Sequence, residues 1–218
     1  MEYKNEALKE QFEDVENILF SANITNEEAQ DLQLLKEKQG KRLISSEAKA
    51  YQDFLKAYSS VSGYHIFKGD MDALPNSDVV ISFGVWFRDE MMESISSARK
   101  TVEAENHKFV YMHPIEDASL QSSITQFIKY EVGSEEGVAA LLAYTLLEKK
   151  EVPAEIEALL EELDIGYLSA ESNVGEEELE SMYEQIDETT RISLIVVTEL
   201  YRHPKADQIA KSLALLEN

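Results

Sequence analysis

The stretch from Ser77 to Met112 constrains the fold more than any other part of the chain, because it reads as strand, turn, helix, strand. Asp78-Val79-Val80-Ile81-Ser82-Phe83 is a short, largely apolar, β-branched run without polar alternation. Such runs are buried on both faces of a parallel sheet. Glu90 to Glu105 then follows with helical character, and Lys108-Phe109-Val110-Tyr111-Met112 is the next strand, ended by His113-Pro114 because proline cannot continue a ladder. This is the frame of a dinucleotide-type site. The turn between strand and helix, however, is Gly84-Val85-Trp86-Phe87-Arg88-Asp89-Glu90. A phosphate at such a turn needs small residues, so that backbone N–H groups approach closely, and a helix start free of other anions. Here Val85, Trp86 and Phe87 crowd the turn, Asp89, Glu90 and Glu93 place carboxylates at the positive end of the helix dipole, and Arg88 is the only cation in reach. The pocket of a cofactor-binding sheet is expected to be closed, with Trp86 and Phe87 packed against protein.

The flanking sequence alternates between the two periodicities. Leu8, Phe12, Val15 and Ile18 are spaced as on a helix, and Ile18 to Ala22 reads as a strand. Thr25 with Glu28 forms a capping-box signature for a helix ending at Gly40. Leu43-Ile44 is expected as an edge strand, Glu47 to Ser59 as a helix, Tyr64 to Phe67 as a further strand and Phe127 to Glu131 as another. Ser134 is placed as the N-cap of a small-residue apolar helix running to Leu147. Pro153 opens a helix to Leu163, an acidic stretch spans Asp164 to Gly175, and Glu176 to Ile186 is helical again. Ile192 to Val197 is the last strand and Ala206 to Leu216 the closing helix. The expectation is a single α/β domain over 1–218. It has a mostly parallel, Rossmann-like sheet of five or six strands, helices on both faces, and a mainly helical insertion at about 153–190.

Composition narrows the chemistry. The chain has no cysteine, which excludes disulfides, thiolate metal sites, iron–sulfur ligation by this chain and cysteine nucleophiles. Its formal net charge of −23 repels nucleic acid and anionic lipid and leaves basic protein partners open. No apolar run approaches a membrane span of about 20 residues, and the first 20 residues are too acidic for a signal or transit peptide, so a cytoplasmic location is expected. His65, His107, His113 and His203 form no close pair in sequence, so no metal site is assigned. Glu135-Glu136 and Glu176-Glu177-Glu178 sit at helix starts, where they complement the dipole rather than act as an acid–base pair. Ser82 and Ser134 lack a nucleophile-elbow setting. A phosphoacceptor domain would need carboxylates at the ends of the first and central strands, but the central strand ends in Phe83-Gly84. No catalytic residue is assigned.

Three collinear segments resemble a known family. They are Ser21 to Glu28 with its Thr25-Asn26-Glu27-Glu28 helix start, Ser77 to Gly84, and Glu199-Leu200-Tyr201-Arg202-His203-Pro204-Lys205-Ala206 continued by Ile209-Ala210 and Leu213 to Leu216. Together they are similar to the molybdopterin oxidoreductase superfamily, specifically the large iron–sulfur G subunit (75-kDa type) of respiratory complex I, NADH:quinone oxidoreductase. The resemblance implies a molybdopterin oxidoreductase-type domain from the C-terminal half of such a subunit, or a free-standing relative of it. Active members carry an Asp-Pro-Arg type sequence where this chain has His113-Pro114-Ile115, a small-residue loop where it has Val85-Trp86-Phe87, and often a glycine where it has Thr198. The expectation is therefore a non-catalytic docking domain without a cofactor of its own. Iron–sulfur clusters would lie elsewhere in the parent assembly, other peripheral-arm subunits of complex I would be its partners, and it would lie at the inner face of the membrane only through the complex. The alternatives are a divergent molybdopterin dinucleotide-binding module and a stand-alone acidic interaction domain.

Overall fold

The computed structural model describes residues 14–21, 24–65, 67, 69–70, 73–87, 100–101, 107–148, 150–187 and 189–217. The chain divides into two compact units, Met1–Asp53 and Phe54–Asn218.

In the first unit, strand β1 (Asn17–Leu19) pairs in parallel with β2 (Arg42–Ile44), with Ile18 opposite Leu43. Helix α1 (Asn26–Gln39) connects them. Its start is fixed by the capping box read from the sequence. The Glu28 N–H donates to Thr25 Oγ1 at 3.2 Å, and the Thr25 N–H donates to Glu28 Oε2 at 2.9 Å. Gly40 ends it at φ 67°, a left-handed conformation in which a side chain is strained. Helix α2 (Ser46–Ser62) follows.

The second unit is built on a four-stranded, fully parallel sheet ordered β5-β4-β3-β6. Its strands are β3 (Val79–Phe83), β4 (Lys108–Met112), β5 (Gln126–Ile128) and β6 (Ile192–Val196). Every residue of β3 is buried, as its unbroken apolar run requires. On one face Val79, Ile81, Phe83, Val110 and Met112 join a core with helix α3 (Glu135–Leu147), helix α7 (Ala206–Leu215), and Phe54 and Tyr58 of α2. Between α3 and β6 lie three short helices, α4 (Ala154–Glu161), α5 (Ile165–Ser172) and α6 (Glu176–Tyr183). On the other face Val80, Phe109 and Tyr111 pack with Leu74, from a short 3-10 helix, and with Val85, Phe87 and Leu120 from the loops that follow β3 and β4. Of the helix expected at Glu90 to Glu105, only residues 100–101 are described, and both are helical; the N-terminal helical pattern at Leu8 and Phe12 likewise lies outside the described residues.

Several expectations are corrected. Among the described residues the main sheet has four strands rather than five or six, because Ile18 and Leu43 pair with each other in a separate two-stranded sheet. Residues 64, 65 and 67 are not strand; the Phe67 ring instead packs edge-on against Tyr58 at 4.6 Å, so its apolar character serves packing rather than pairing. The acidic stretch after Asp164 contains a helix, started by the Tyr167 N–H donating to Asp164 Oδ1 at 3.0 Å and ended by Asn173 at φ 57°. Ser134 stands at the N-cap of α3, but its hydroxyl donates back to the Glu131 carbonyl at 2.6 Å instead of accepting from the helix.

At the opposite end of the sheet from the strand termini discussed below, Asp78 clips β3 to β6. Its Oδ2 accepts from the Arg191 backbone N–H at 2.9 Å and from Nε at 3.0 Å, while Oδ1 accepts from Nη2 at 3.0 Å. These donors hold the Asp78 carboxyl down at about 2. A carboxylate whose folded pKa is depressed contributes stability above its unfolded value of about 3.9, and loses it as pH falls toward the folded one. In urea titrations Asp78→Asn is therefore expected to lower the unfolding midpoint by a constant amount above pH 5. That difference from the parent chain should narrow as pH falls through about 2 and vanish only below it; a gap of undiminished size there would mean the ion pair adds nothing.

Candidate functional site

In open α/β sheets ligands settle outside the carboxyl ends of the strands, where the strand order reverses. Here the chain runs from β3 through β4 to β5 on one side and returns to β6 on the other, so the reversal falls between β3 and β6. Gly84 follows β3 at that point, its N–H donating to the Met112 carbonyl at 2.9 Å. Its φ is 72°. A Cβ on Gly84 would lie 2.8 Å from Val197 Cγ1 and 3.2 Å from the Tyr130 hydroxyl. The glycine is thus needed for close packing of protein on protein, at the position where a nucleotide-binding turn would use it for a phosphate. Val197 is held there by its own N–H, which donates to the Phe83 carbonyl at 3.0 Å. The Tyr130 ring meets Phe83 edge-on at 5.7 Å, and burial, helped by the Glu135 charge, pushes its phenol far above the ordinary range.

The rest of the turn continues the closure on the other face of the sheet. Val85 and Phe87 are buried, with Phe87 perpendicular to Phe109 at 5.8 Å and tilted on Tyr111 at 6.1 Å. Trp86 is only half-buried and leans on the His113 ring at 5.1 Å. His113 stacks in turn on Tyr111 at 5.5 Å, nearly parallel, and Tyr111 on Phe127 at 5.8 Å. The result is one aromatic column rising from the core to the crest. Burial pushes the His113 pKa down against the opposing pull of the Ile115 backbone and Asp117. The His113 Nδ1 turns back on Ile115, 2.7 Å from the carbonyl oxygen and 3.0 Å from the backbone nitrogen. Of the residues singled out in the sequence, the structure brings Gly84, Val85, Trp86, Phe87 and His113 together. Arg88, with Asp89, Glu90 and Glu93, lies outside the described residues.

Sequence reasoning missed Tyr130 and Val197, which close the crest, because neither carries a local motif. It also missed the anchoring of α3. The His203 Nε2 lies 3.2 Å from the Gly133 carbonyl and 3.4 Å from Glu135 Oε2, while its Nδ1 accepts from the Lys205 N–H at 3.1 Å. Lys205 Nζ sits 2.5 Å from Glu136 Oε2. Glu135 and Glu136 do occupy the first turn of α3, as read, but they also tie it to the segment leading into α7. Among the described residues no group of three or more metal-ligating side chains converges, and no helix is long and apolar enough to cross a membrane.

No family model matches the chain, and no curated protein matches it. Among solved structures, acetylene hydratase from Pelobacter acetylenicus matches with a TM-score of 0.64 over 85% of this chain. The match covers 26% of that enzyme's chain, so this chain spans about a quarter of its length. At 9% sequence identity the likeness is one of fold: the parallel α/β arrangement described above is an architecture that also occurs inside a much larger enzyme.

Proposed function

We propose that this chain is a non-catalytic docking domain of the peripheral arm of an NADH:quinone oxidoreductase of the complex I type, equivalent to the molybdopterin oxidoreductase-like part of its G subunit. The single observation that carries the reading is the closed crest. Val197 and Tyr130 press on Gly84, and Val85 and Phe87 are buried, at the reversal where a pterin nucleotide would be sought. These residues do not fit such a group. Support for the family comes from the three collinear segments ending at Glu28, Gly84 and Leu216, and the fold likeness to acetylene hydratase is compatible with it. The fold likeness alone equally favours a second reading, a divergent molybdopterin-binding module whose site is completed by another chain.

Elemental analysis and pterin extraction on native material separate the two. The docking reading expects neither molybdenum nor tungsten nor pterin in proportion to the chain, together with co-purification with quinone-reductase subunits. One metal per chain would overturn it in favour of the second reading.

A further inference from the structure

Among the described residues of the second unit, the loops and helix flanking this crest carry the most exposed large apolar side chains. Ile115 is 62% exposed, Val132 73% and Tyr167 63%, whereas Leu159, on α4, reaches 48%. Soluble surfaces tolerate single exposed apolar residues, so what matters is that these three lie on segments tied to one another by hydrogen bonds and an ion pair. Ile115 and Val132 sit in the loops leaving β4 and β5, neighbouring strands whose exits are tied by the His113 N–H donating to the Ile128 carbonyl at 3.1 Å. Val132 adjoins Gly133, the residue bonded to His203, and the nearby Lys205 faces both Glu136 and Tyr167. Tyr167 therefore flanks the same corner from α5, whose last residue, Ser172, accepts from the Glu131 N–H at 2.9 Å.

Exposed carboxylates adjoin these residues along the chain, Glu116 beside Ile115, Glu131 beside Val132 and Glu171 one turn beyond Tyr167, and they outnumber Lys205, the cation already placed at this corner. Residues 151–190, from which Tyr167 projects, contain no lysine or arginine at all, in a chain of net charge −23. An apolar stripe edged by negative charge is complementary to a partner segment with apolar side chains edged by lysine or arginine. We propose that Ile115, Val132 and Tyr167 form the docking surface of this domain, and that its occupant is a basic, apolar-bearing segment of another protein chain. The inference rests on the docking reading above and gives it a location.

The probe is a synthetic peptide alternating leucine with lysine, compared with a control that has serine at each leucine, both titrated against the full chain by fluorescence anisotropy. Val132→Asp and Tyr167→Asp, singly and together, provide the discrimination. Each adds a negative charge, so attraction by bulk charge alone would tighten binding of either peptide, whereas loss of apolar contact weakens it. The expected result is at least tenfold tighter binding of the leucine peptide than of its control, and a tenfold or greater loss in the double variant. Leu159→Asp should leave the affinity within twofold, and circular dichroism should be unchanged because all these side chains are exposed. Equal affinity for the two peptides, or unchanged or tighter binding by the double variant, would overturn the surface. Co-purification then separates the two levels: if the parent chain and the double variant both remain with quinone-reductase subunits, the docking reading stands and this surface fails. If the peptide results hold but the parent chain does not co-purify, the surface stands and the complex I reading fails.

Discussion

Phe87→Ala is expected to lower the unfolding free energy by about 3–5 kcal/mol, the range for truncating a fully buried aromatic ring. The ring sits under the turn, perpendicular to Phe109 and against Tyr111, in the core on the face of the sheet opposite α3 and α7. Phe87 is 4% exposed among these neighbours, so its truncation leaves a cavity whose cost adds to the lost burial. Trp86→Ala makes the internal control. The sequence suggests that both aromatic residues are packed, but Trp86 is half-buried and leans on His113 from outside, so its truncation should remove only about 1–2 kcal/mol. Urea titration of both variants measures the order directly. A loss below about 1 kcal/mol for Phe87→Ala would mean that the turn is open and the crest free for a ligand.

The difference between those two neighbours shows how far the sequence could be read. Val79 to Phe83 was legible as a central strand because a β-branched run without alternation has few other uses, and Thr25, Glu28 and Gly40 were legible because capping chemistry is local. The crowded turn was legible in composition, but not in which ring faces inward, since that depends on the path of the chain after Gly84. Tyr130 and Val197 were invisible for a stronger reason: Val197 reaches Gly84 only because β6 returns beside β3, and Tyr130 only through the segment leaving β5, long-range placements that neither residue's surroundings encode. The same holds for His203 and Glu135, brought together from segments far apart in the chain. The short run at Tyr64 to Phe67 was ambiguous between pairing and packing, and the Phe67 ring packs on Tyr58. The helix after Asp164 was masked by Gly166, Ser169 and Ser172, which weaken a helical reading, although its aspartate cap was present to be read.

Gly84→Ala should destabilise by about 2–4 kcal/mol, a large effect for one methyl group, because two costs act together. Holding a non-glycine residue at φ 72° costs roughly 1–2 kcal/mol, and forcing a Cβ to 2.8 Å from Val197 Cγ1 adds overpacking of about 1–3 kcal/mol. The two are separable. In the double variant with Val197→Ala the close atom is gone, so the overpacking disappears while the backbone cost remains. The pair should therefore be less destabilised than the sum of the single variants by about 1 kcal/mol or more. Tyr130→Phe, which removes the hydroxyl lying 3.2 Å from the same Cβ position, should relieve a smaller part. Additivity within about 0.5 kcal/mol across the cycle would place the whole effect in the backbone angle. In that case Gly84 would be glycine for its turn alone, Val197 would not close the crest, and the argument against a bound pterin nucleotide would lose its geometric basis.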